Sequence, residues 1–111
     1  MRILIAVLMI VFAGCATEYA TDAELKEVAG PWDDCVWNAV SRLDDSKLDP
    51  VSIAYGIEPI CAAQYEHIIQ TALKGMTSIE AQSSVRHMYQ DGEIKQITSA
   101  ILIYRKSHPT K

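Results

Sequence analysis

The sequence predicts an all-α chain: a small helical hairpin or three-helix bundle preceded by a signal peptide. Two observations carry the fold class. Hydrophobic residues recur at spacings of three and four along most of the chain after residue 31. The periodic stretches also open on helix-start signals: Thr21 with Glu24, Asp49-Pro50, and Thr77 to Glu80. A third observation sets the N-terminal segment apart. Arg2 is followed by ten uninterrupted apolar residues, Ile3 to Phe12. As a helix they would span about 15 Å, half the thickness of a bilayer core. A basic start, a short apolar run and small residues at its end describe an export signal rather than a membrane span.

The elements follow in order. Thr21 and Glu24 form a capping box ahead of Leu25 and Val28, and Gly30 suits a helix end, so residues 15–30 read as a tether with a short helix. The main domain is expected over 31–106. Pro31 fits a first helical position, and Asp33 and Asp34 fit the positive end of the dipole. Trp32, Cys35, Val36, Ala39, Val40 and Leu43 then mark one apolar face, and "DDSKLD" is a loop. Asp49-Pro50 opens a second helix, whose apolar row includes Ile53, Ile57, Ile60, Cys61, Tyr65 and Ile68. Pro59 inside that row predicts a kink or short break near 56–59, with a kink favoured because the apolar phase is kept. Lys74-Gly75 ends this helix. A third starts near Ser78, with an interruption expected at Asp91-Gly92. Residues 93–105 are β-branched enough for a strand, but a lone strand would have no partner, so helix is preferred. Residues 107–111 read as a frayed tail.

At the end of the apolar run, Phe12-Ala13-Gly14-Cys15 resembles the lipobox of bacterial lipoproteins, in which Leu-Ala-Gly-Cys is the common form. The resemblance implies cleavage after residue 14 and acylation of Cys15 with chains such as palmitate. Two or three chains hold a membrane durably where one does not. Ala16 follows, not the aspartate that retains lipoproteins at the inner membrane, so the resemblance implies an outer-membrane anchor facing the periplasm. Ordinary cleavage after Ala16 would instead give a soluble periplasmic protein.

With Cys15 taken by lipid, Cys35 and Cys61 remain, an even pair in an oxidising compartment. They lie about 12 and 17 Å from the loop joining their helices, which is compatible with a bridge across an antiparallel hairpin. Trp32, Cys35, Leu43, Ile53-Ala54 and Cys61 together resemble a recurring type of small exported bacterial protein, a disulfide-pinned helical hairpin without assigned activity. That resemblance implies a fold and no mechanism.

The formal charge of −4 falls to −5 once Arg2 is removed with the signal. An acidic domain is poorly suited to nucleic acid or anionic lipid. His67, His87 and His108 are scattered, without metal-ligand spacing, so no metal and no cofactor is expected. With the three cysteines assigned, no thiolate is left, and no G-x-S-x-G elbow occurs. Asp33-Asp34 and Asp44-Asp45 point about 100° apart on a helix and do not converge. The chain therefore reads as a non-enzyme. Trp37 projects toward the flank of its helix and Tyr55 lies off the Ile53–Ile57 stripe. Exposed Trp and Tyr are enriched at binding surfaces, so Trp37 and Tyr55 are the candidate partner contacts. The alternative places Trp37 beneath the C-terminal helix. The expected role is an envelope lipoprotein that binds or modulates a periplasmic protein. A periplasmic inhibitor or immunity-type protein is the alternative, and a small cell-wall enzyme a third reading.

Overall fold

A computed structural model of the chain describes residues 19–109. The export signal, the lipobox and Cys15 lie outside the described residues. Four helices form the domain: α1 (Asp22–Leu43), α2 (Pro50–Ile57), α3 (Ala62–Ala72) and α4 (Ile79–Ser107). No strand occurs among the described residues, and residues 93–105 are helical. No described helix is long and apolar enough to cross a membrane.

Helix α1 begins where the capping box places it. The Thr21 hydroxyl accepts a bond from the Glu24 backbone N–H at 3.2 Å. It does not stop at Gly30, and Pro31 does not start a new helix; both lie within one continuous element. The boundary expected at residue 31 is thus absent, and Asp33 and Asp34 are mid-helix rather than in a first turn. Pro31 and Glu27 are both exposed, so the Glu27 carbonyl that Pro31 leaves unpaired faces the solvent side. On the opposite side, Val28 and Ala29 pack against the core and Trp32 is buried, which holds the helix together across the proline.

The loop after α1 is fixed by its aspartates. Asp45 accepts from the N–H groups of Lys47 and Leu48, and Asp44 from Ser46, whose φ of 62° turns the chain. Asp49 caps α2 with Pro50 at its first turn, as expected. At Pro59 the chain breaks rather than kinks. Residues 58–61 form a turn in which Ile60 and Cys61 both donate to the Ile57 carbonyl. Cys61 then opens α3, so the single expected helix is two, and Ile60 is 47 % exposed instead of facing the core. Leu43, also assigned to an apolar face, is 47 % exposed at the end of α1. Gly75, at φ 80°, makes the turn beyond α3. Ser78, not Thr77, caps α4, accepting from the Ala81 N–H. Asp91-Gly92 does not interrupt α4. A mid-helix glycine costs about 1 kcal/mol against alanine, and the burial of Ile97 and Ile101 beyond it keeps the helix in place.

α1 lies chiefly along α3, and α2 along α4. Their shared core is built on Val36, Ala39 and Val40 of α1, Ile53 and Ile57 of α2, Ile68 and Ile69 of α3, and Ile97 and Ile101 of α4. Two long-range ties hold the layers. The Cys35–Cys61 disulfide, with Cα atoms 5.9 Å apart, joins the middle of α1 to the start of α3. Asp44, whose side chain is fully buried, receives a two-pronged contact from Arg105 of α4, at 2.7 Å from Nη2 and 3.0 Å from Nε. Arg105 Nη2 also donates to the Leu48 carbonyl at 2.7 Å. The guanidinium holds the Asp44 carboxyl below its usual range.

Replacing both bridging cysteines by serine should lower Tm by about 15 °C or more. A closed loop of this length constrains the unfolded chain by about 3–4 kcal/mol. An unchanged thermal melt would show that packing alone holds α1 to α3. Arg105→Ala strands a buried carboxylate and should cost about 2–3 kcal/mol; in urea denaturation the midpoint should drop while Asp44→Asn/Arg105→Met recovers part of the loss.

Candidate functional site

The splay between α1 and α4 leaves an open groove. Its larger hollow, about 350 Å³, is walled by Trp32, Val36 and Trp37 of α1 and by Gln96, Ala100 and Ile103 of α4, with Asp33, Lys95 and Ser99 at the rim. A second hollow of about 270 Å³ lies between Leu25 and Ala29 of α1, Tyr65 and Ile68 of α3, and Tyr89 of α4. Trp32 and Gln96 line both, so the two are parts of one groove.

Trp37 is half-buried in the wall of this groove, between the two placements weighed from sequence: it flanks α4 without being sealed beneath it. Tyr55 is 60 % exposed on α2 and lines neither hollow. The two proposed partner contacts are therefore not brought into one groove. Cys35 and Cys61 are joined in the disulfide and line neither hollow. His67, His87 and His108 are all exposed, and His108 stacks on Tyr104 at 4.2 Å between ring centres. Among the described residues no three His, Cys, Asp or Glu side chains gather as a metal site.

In the wall of the second hollow lies an aromatic and polar knot that sequence reasoning missed. Trp32 and Tyr65 pack with ring centres 5.1 Å apart, and Tyr65 and Tyr89 at 6.4 Å. The Tyr65 hydroxyl donates to the Tyr89 carbonyl. Glu93, only 6 % exposed, is the buried acid of this region, and its Oε2 has no hydrogen-bond partner. The Trp32 indole N–H is also buried without a well-formed bond, although it lies close enough to Glu93 to favour the ionised form slightly. Burial, and then the charge of Glu58, push the Glu93 carboxyl up to about 7. Burial, with Glu93 and Tyr89 nearby, likewise pushes the Tyr65 phenol up to about 12. The signal for Glu93 was its register: Tyr89, Glu93, Ile97 and Ile101 are spaced by four and share one face of α4.

This arrangement offers a binding surface with a titratable group behind it. The groove is apolar along its walls and has a Trp at one edge, features common to grooves that take an amphipathic segment.

Glu93 binds its proton more tightly in the folded chain than in the unfolded one. Its stabilising contribution is therefore complete below about pH 4.5 and is lost as pH rises through about 7. Stability should fall by about 2 kcal/mol over that window. Urea titrations at several pH values should show the decline in the wild type and a flatter profile in Glu93→Gln. A wild type that gains stability across the same window would contradict the assignment. No family model matches the chain, and no curated protein or solved structure matches it.

Proposed function

We propose that the chain is a non-catalytic envelope lipoprotein, anchored to the outer membrane through lipid on Cys15 and facing the periplasm, where it binds or modulates a protein partner. The anchor rests on the resemblance of Phe12-Ala13-Gly14-Cys15 to a lipobox. The observation that supports partner binding is the open groove between α1 and α4, with Trp37 half-buried in its wall. A half-buried Trp keeps a large flat surface available at small entropic cost, which is why such residues dominate binding energies. The groove walls are apolar while Asp33 and Lys95 stand at the rim, a pattern of apolar centre and charged edge shared with protein interfaces. No cofactor enters this role, and the domain's acidity argues against nucleic acid as the partner.

Intact mass of the membrane-extracted protein, without reduction, should show added acyl chains and the loss of two hydrogens. Cross-linked recovery from the same material should yield one envelope protein in near-stoichiometric amount. Trp37→Ala should cut that recovery about 30-fold or more, the loss of a hot-spot residue, while the far-UV spectrum stays helical. If recovery is unchanged and the variant melts early instead, Trp37 is a packing residue and the groove is not the interface.

A further inference from the structure

Helix α4 has two unlike halves. From Ile97 onward it is locked, with Ile97 and Ile101 fully covered and Arg105 fastened to Asp44. Residues 79–92 carry no buried side chain. This N-terminal arm is held by few ties: Gln82 Nε2 donates to the Met76 carbonyl at 2.7 Å, Arg86 pairs with Glu66 at 2.9 Å at the surface, and Tyr65 donates to the Tyr89 carbonyl. At the junction stands Gly92, followed at once by Glu93, the first buried residue of the helix. Glycine is the weakest helical link, and nothing but the end of the Gln96 side chain, at 4.0 Å, approaches the place its Cβ would occupy.

We propose that Glu93 is a proton-operated latch on this arm: with the carboxyl protonated residues 79–92 stay tied to α3 through Tyr89 and Arg86, and with it ionised they swing off α3 about Gly92. Glu58, in the 58–61 turn, sets a like charge against Glu93. The Tyr65 phenol of α3, pushed up to about 12, brings no cation to it, and Tyr89 of α4 packs on Tyr65. α1 contributes the uncharged Trp32 indole, and α2 has no ionisable side chain other than the exposed Tyr55. No ion pair among the described residues reaches Glu93. Ionisation therefore leaves a negative charge in the core with no cation to meet it. Departure of the arm admits water to the residue beside the hinge and relieves that charge. The same motion uncovers the wall of the second hollow formed by Tyr89, so the latch would alter the groove whatever the groove binds.

Amide hydrogen exchange of the folded protein, disulfide intact, read by peptide mass between pH 5 and pH 8 and corrected for intrinsic rates, tests this. With the carboxyl near 7 when closed and 4.5 when open, the opening constant of residues 79–91 should rise about 70-fold over that range. Residues 97–105 should stay protected. Glu93→Gln, which keeps the shape and removes the charge, should abolish the rise. Glu58→Gln should keep it and move its midpoint to lower pH. Loosening of both halves alike, a wild-type arm indifferent to pH, or a rise that persists in Glu93→Gln would each overturn the latch.

Discussion

The Cys35–Cys61 bridge is the constraint on which the other packing choices depend. It fixes α1 and α3 at one height, and that height places Trp32 against Tyr65. With these two rings packed at a tilt, α4 meets them through Tyr89 on Tyr65 and Glu93 beside Trp32, on the face that also carries Ile97 and Ile101. A domain this small gains limited stability from its core, so a covalent tie between its first and third helices has an outsized effect. The tie is also placed at the break in the helical run: Cys61 closes the turn that holds Pro59 and separates α2 from α3.

The second tie, Arg105 to Asp44, works at the other end. It closes the loop between α1 and α2 over the last turns of α4, and through Leu48 it also satisfies a backbone carbonyl. Of the two ties, only Arg105–Asp44 holds α4, and it does so near the C-terminal end. The C-terminal half is held by charge and burial, and the N-terminal half by little more than Tyr65 and Arg86. The groove follows from the same division. α1 is committed to α3 and α4 to α2, so the α1–α4 seam is packed less closely than either pair and keeps a groove, with Trp37 along it.

Local chemistry was legible in the sequence where it acts over a few residues. Thr21, Asp49 and the cap at Ser78 each depend on a side chain three positions from the N–H it accepts, and each helix starts there or within one residue. The disulfide was also legible, because it needs only an even pair at compatible heights. What was not legible is decided by contacts far apart in sequence. Gly30-Pro31 and Asp91-Gly92 look like boundaries, yet in each case buried apolar residues beyond them, Trp32 in α1 and Ile97 with Ile101 in α4, outweigh the local penalty. Pro59 failed in the opposite direction: the apolar phase survives a break because a turn of four residues returns the chain to nearly the same face. The Asp44–Arg105 pair spans 61 residues, and Glu93 reads as an ordinary surface acid until its neighbours at spacings of four are counted. The separation of Trp37 from Tyr55 depends on how helices splay, which periodicity does not encode.

The most direct test of the bridge as the keystone is the near-UV circular dichroism of the native protein before and after reduction, with complete reduction verified by mass. Trp32 and Tyr65 sit within one turn of the two cysteines, so their bands report the ring packing that the bridge imposes. The aromatic signal should collapse on reduction while much of the far-UV helical signal remains. An aromatic spectrum that survives full reduction unchanged would mean that α1 and α3 find their register without the disulfide, and the bridge would not be the constraint on which the packing depends.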